Sequence, residues 1–193
     1  MLDALICPEW EYRYYSFNPD WAEQEEMASM RDGQGDDWFL LLDKAGAALK
    51  GFAHESSVAK TDYAKKIQIE VPQRFTSFLV KPAFSMESAT FCYWRAADDA
   101  AWSKVGSDGD GAEADDGSQA MLSLLVEPAS EYCQFAEDYY EEEISVQVVQ
   151  ALYELTPLTE HLVSNLNPAL AFVDALSLAK EIGYPVGVVV GGY

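Results

Sequence analysis

Five apolar residues in an unbroken run, bounded by acids, form the segment DWFLLLD (37–43). A strand of this length with no polar alternation has no face to give to water, so it must lie centrally in a sheet and be covered on both sides. Lys44-Ala45-Gly46 then makes a tight connection to AALKGFAH (47–54), and the pair reads as a hairpin whose glycine can take positive φ. A chain built on such a hairpin needs further strands beside it and further elements above and below it.

Those elements are legible on either side. YRYYSF (12–17) is aromatic enough for a strand. Asn18-Pro19 reads as a cap and first helical position, Glu23, Glu25 and Glu26 suit the early turns, and the helix would end at Met30–Asp32 with Gly33 as its stop. The segment 55–66 is polar and loop-like, while Pro72 introduces a helix at 73–80 in which Phe75, Phe78 and Leu79 recur at helical spacing. FCYWR lies in a strand over 89–96, with AWSKVG (101–106) placed to pair with it. GSDGDGAEADDGS (106–118) is a low-complexity acidic loop. Beyond it the segment 121–126 reads as a strand, and helices are expected over 129–142 and 145–155. Cap-then-proline pairs at Thr156-Pro157 and Asn167-Pro168 point to two more, the last stopping at Gly183. The expectation is one α+β domain over residues 1–193. It comprises a sheet-rich part (1–105) with an antiparallel sheet of about five strands, the acidic loop (106–118), and a mainly helical part (119–193) packed against the sheet.

Charge narrows the function. The net charge is -21, and it is lopsided: residues 105–193 hold 16 acids against Lys180 alone. Nucleic-acid binding needs clustered Lys and Arg, so it is disfavoured, and an anionic membrane surface is disfavoured for the same reason. No apolar run approaches the ~20 residues of a membrane span. Cys7, Cys92 and Cys133 are odd in number and lack metal spacing, and the start MLDALICPEW lacks a basic leader. Reduced thiols in a cytoplasm are the expectation.

Four stretches invite a chemical reading. In DGQGDD (32–37) the glycines would leave a helix and enter a strand, the reverse of a phosphate-binding loop, and Asp32, Asp36 and Asp37 repel phosphate. It reads as a turn. His54-Glu55-Ser56 leaves the hairpin as consecutive residues pointing to opposite faces, so the three cannot form a triad unaided. The acidic loop departs from a calcium loop at Ala112, Glu113 and Gln119. No metal-ligand or cofactor motif is present otherwise. EDYYEEE (137–143) sets Glu137, Asp138, Glu141, Glu142 and Glu143 around Tyr139 and Tyr140. Three of these glutamates fall at a helix end where the dipole opposes negative charge, which favours a docking patch for a basic protein over a merely solvated face.

Taken together, YYSFNPDW, EMASMRDGQGDDWFLLLDKAGAALKGFAHES, FCYWR, FAEDYY and EIGYP resemble an uncharacterised family of small acidic bacterial proteins. The blocks cover most of the chain outside the middle loop. The resemblance implies a bacterial cytoplasmic protein, a candidate immunity protein of a toxin system, and it brings no catalytic residue with it. The leading expectation is therefore a non-enzymatic acidic binding protein, an immunity-type inhibitor of a basic toxin or nuclease. A small hydrolase or metal-dependent enzyme built on His54, Glu55 and the Asp36/Asp37 pair is the rival. A structural or oligomeric subunit, joined through the apolar C-terminal segment PVGVVVGGY, is the third reading.

Overall fold

The apolar strand takes the central place its composition demands. In a computed structural model, which describes residues 1–59, 62–106 and 115–187, six strands form one sheet in the order β1-β2-β3-β4-β5-β6. They are β1 (Tyr15–Ala22), β2 (Glu25–Arg31), β3 (Asp37–Asp43), β4 (Gly46–Phe52), β5 (Phe91–Ala96) and β6 (Ser103–Lys104). From β2 onward each pairs antiparallel with the next. The fold is α+β with a helical C-terminal half, as expected from the sequence, and with one strand more.

Contacts divide the chain into two compact units, Met1–Ser16 with Ser123–Tyr193, and Phe17–Leu122. In the second, one sheet face carries Phe39, Leu41, Ala48 and Cys92. It is covered by α2 (Tyr63–Glu70), α3 (Thr76–Val80) and the adjoining turns, which supply Ile67, Phe75, Phe78 and Phe84. Phe75, Phe78 and Phe84 are at most 2% exposed, and burying each favours folding by about 1.5–3 kcal/mol. On the other face Trp38, Leu49 and Phe91 are buried. There Gly51 has no substitute, because a Cβ would stand 1.9 Å from the Phe91 ring that lies across it. The helix α4 (Ser118–Leu122) completes this unit.

The first unit is helical: α1 (Leu2–Ile6), α5 (Ala129–Tyr140), α6 (Val146–Tyr153), α7 (Glu160–Leu166) and α8 (Phe172–Ile182). Leu5, Val149, Leu158 and Val163 fill its core, and Ala136, Ala175 and Ala179 let helices approach closely. Gly183 ends α8 at φ 76, as its position after the periodic run anticipates. Thr159, rather than Thr156, caps α7 by accepting the Leu162 amide at 3.3 Å. The Thr156-Pro157 and Asn167-Pro168 pairs lie in the turns ahead of α7 and α8. Val186 forms a parallel bridge with Leu158, and the rest of the apolar C-terminal segment, 188–193, is outside the described residues. So are 107–114, the body of the acidic loop.

Residues 18–31 are two strands where a helix was expected. Glu, Ala and Met favour helix, but β2 gains a full ladder against the buried β3, with Met27 opposite Leu41 and Met30 opposite Trp38. Pro19 sits in the edge strand β1, where its missing N–H is tolerated, and Asn18 accepts the Asp20 amide at 2.9 Å. The glycine loop is accordingly a strand-to-strand turn and not a helix exit. The expected strand at 121–126 is helical instead, through α4 and the turn Ser123–Leu125. The loop after β4 ends earlier than expected, since α2 begins at Tyr63. The strand expected from residue 12 begins at Tyr15, after a 3-10 turn over Trp10–Tyr12.

Candidate functional site

In the helical unit, the end of α5 is fixed from below by a buried carboxylate. Asp3 is 3% exposed. It accepts the Tyr132 hydroxyl at 2.5 Å, the Tyr140 hydroxyl at 2.8 Å and the Tyr15 amide at 2.7 Å. The Tyr140 oxygen in turn accepts the Tyr14 amide at 2.9 Å. Burial pushes the Asp3 carboxyl above its ordinary pKa, opposed by these hydrogen bonds to its ionised form. Burial likewise raises the pKa of Tyr132 and Tyr140, with the adjacent Asp3 charge adding to it. The rings of Tyr14, Phe135 and Tyr139 pack beside this network at centroid distances of 4.8–5.5 Å.

Above that anchor stands the acidic run. Glu137, Asp138, Tyr139, Glu141, Glu142 and Glu143 are all exposed, whereas Tyr140 between them is half-buried. Glu141 ends the helix in the left-handed region at φ 58. A non-glycine residue there costs roughly 1–2 kcal/mol, and negative charge at a helix C-terminus is disfavoured as well. Glycine would relieve both costs. In this unit fourteen acids face only Arg13 and Lys180. The ion pairs among the described residues lie in the sheet unit.

The rival set of residues is partly assembled, in the sheet unit. His54 leaves β4 and meets the β2–β3 turn: its amide donates to Asp36 Oδ1 at 2.8 Å, and its ring Nδ1 lies 2.6 Å from the same oxygen. Glu55 is 3.9 Å from Nε2. The hydrogen bond to Asp36 raises the His54 pKa. Asp37 does not join them. It pairs instead with Lys50, whose fully buried ammonium is 2.8 Å from Asp37 Oδ1 and 5.2 Å from the Phe39 ring centre. Ser56 donates to the Asp115 carbonyl at 2.9 Å. Among the described residues, no serine or cysteine is hydrogen-bonded to His54.

The β2–β3 turn also settles what its amides do. Asp32 Oδ1 accepts the amides of Gln34, Gly35 and Asp36 at 2.7, 3.0 and 2.9 Å. The concavity that a phosphate would need is filled by the turn's own carboxylate. A separate depression beside the β1–β2 turn, lined by Pro19, Asp20, Gln24, Glu25, Glu26 and Asp43, includes none of the candidate residues.

Sequence reading did not single out Asp3 or Lys50. Lys50 left a trace, a cation inside an apolar strand whose hairpin partner begins with an acid. Asp3 left none, because its tyrosines stand 129 and 137 residues away.

Among the described residues no group of three or more His, Cys, Asp or Glu side chains is arranged to hold a metal ion, and no helix is long and apolar enough to cross a membrane. No protein-family model, no curated protein and no solved structure matches the chain.

Proposed function

We propose that the chain is a non-enzymatic binding protein of the bacterial cytoplasm that docks a basic protein partner, as an immunity-type inhibitor covers a basic toxin or nuclease. The docking face is Glu137, Asp138, Tyr139 and Glu141–Glu143. One observation carries the reading: Tyr140 is tied to Asp3 while its neighbours point outward. The acids are thus displayed on a helix end held in one geometry, which reduces the ordering cost of association. Carboxylates at this density can occupy a basic groove in place of phosphates and steer the approach of its owner.

The test is a parallel capture from native cell extract with two baits, wild type and the Glu141→Lys, Glu142→Lys, Glu143→Lys variant. A basic protein retained by the first and lost by the second supports the reading, whereas equal retention contradicts it.

The Asp36–His54 pair favours a second reading, a small hydrolase in which His54 is a base oriented by Asp36. Turnover of an activated ester that is abolished by His54→Ala, and kept by the triple lysine variant, would establish it.

A further inference from the structure

The aromatic turn that precedes β1 is exposed, and the chain leads from it directly to Tyr14, which packs on Tyr139 of the acidic run. Trp10 and Tyr12 are 54% and 65% exposed, and Glu9 and Glu11 beside them are exposed too. Arg13 closes the turn from behind, donating to the carbonyls of Cys7 at 2.8 Å and Pro8 at 2.5 Å. That arrangement keeps its charge inside, since Arg13 is 8% exposed. Immediately after, Tyr14 packs on Tyr139 at 4.9 Å and donates its amide to Tyr140. Two residues of chain span at most about 7 Å, so Tyr12 stands at the margin of the surface that Tyr139 and Glu137–Glu143 form.

From this we infer that the docking face extends onto the Trp10–Tyr12 turn, and that it takes an arginine-bearing segment of the basic partner rather than a lysine-bearing one. This rests on the reading given under Proposed function. Exposed rings interleaved with carboxylates match a guanidinium on two counts: its plane stacks on aromatic faces, and its edge engages carboxylates bidentately. A lysine ammonium gains the charge attraction but neither the stacking nor the fork. The acids supply attraction to any cation, and the turn supplies the discrimination.

The experiment measures binding of fluorescently labelled nona-arginine and nona-lysine by anisotropy at about 0.2 M salt, where long-range attraction is largely screened. Wild type should prefer nona-arginine by about five-fold or more, the range that one desolvated ring contact supplies. Trp10→Ala with Tyr12→Ala should remove that preference, leaving nona-lysine binding within about two-fold. Trp10→Phe with Tyr12→Phe, which keeps ring faces at both positions, should retain most of it; this shows that the alanine result is not a folding defect. The triple lysine variant at Glu141–Glu143 should weaken both peptides. Equal binding of the two peptides to wild type, or a preference that survives the alanine pair, overturns the inference. If the triple variant still weakens both peptides in that case, the acidic docking face itself stands. If it weakens neither, the docking face fails as well.

Discussion

The Tyr140 hydroxyl donates to Asp3 at 2.8 Å while accepting the Tyr14 amide, so one side chain ties the start of the chain to the end of α5. Tyr132 completes the clamp from one helical turn-pair earlier, at 2.5 Å. Asp3→Asn replaces one acceptor oxygen with a donor that meets other donors. We expect it to cost about 2–3 kcal/mol in urea unfolding, the penalty of a broken buried hydrogen bond to a charged group. Tyr140→Phe should cost a comparable amount, about 1.5–3 kcal/mol, because it removes one of the three donors to Asp3 and also the acceptor of the Tyr14 amide.

The Asp36–His54 contact predicts a pH dependence of defined sign. The folded-state pKa of His54 is raised above its ordinary 6.5. Its contribution to stability is therefore complete below that value and is lost as pH rises through the higher, folded one. Wild type should thus lose stability relative to His54→Gln as pH is raised from about 6 to 8, in matched thermal melts. A constant difference between the two proteins would show that the pair adds nothing.

Lys50 and Asp37 form an ion pair at the edge of the aromatic core, with the ammonium fully buried and the carboxylate about a third exposed. Asp37→Ala leaves a buried charge alone and should cost about 3 kcal/mol. Replacing both, Lys50→Met with Asp37→Leu, should recover most of that loss, because an apolar pair of similar volume avoids desolvating either charge. Denaturant titration of the three proteins gives the coupling directly.

Thiol chemistry should separate the three cysteines. Cys92 is 0% exposed in β5, and burial pushes its thiol up to about 12. Cys7 and Cys133 are half-buried, and burial raises their thiols as well. In the native protein a disulfide reagent should titrate Cys7 and Cys133 and reach Cys92 only on unfolding. Prompt reaction of Cys92 would mean that the sheet face over it opens.

The central hairpin could be read from local pattern because DWFLLLD and AALKGFAH carry their own length, burial and turn signals. The pairing of β5 with β6 was legible too, from the short turn between FCYWR and AWSKVG, whereas the register that sets Gly51 under Phe91 joins strands distant in sequence and was not. The neighbouring strand β2 could not be read this way. EEMASMR has helical propensity, and only a partner already in place at β3 turns it into a strand. The acidic face was visible as a charge run at a predicted helix end. The anchor beneath it was not, because that depends on Asp3 meeting Tyr132 and Tyr140 across most of the chain, and no spacing rule reports such a contact.

The most direct measurement is the association rate of the basic partner with wild type and with the Glu141→Lys, Glu142→Lys, Glu143→Lys variant, at low and at high salt. These residues are exposed, so folding should change by under ~0.5 kcal/mol per site. Steering acts mainly on the encounter, so the variant should associate about ten-fold or more slowly at low salt, with the difference shrinking as salt screens the field. A partner whose association rate ignores both the substitutions and the salt would contradict the account, leaving Glu137–Glu143 as a solvated helix end and nothing more.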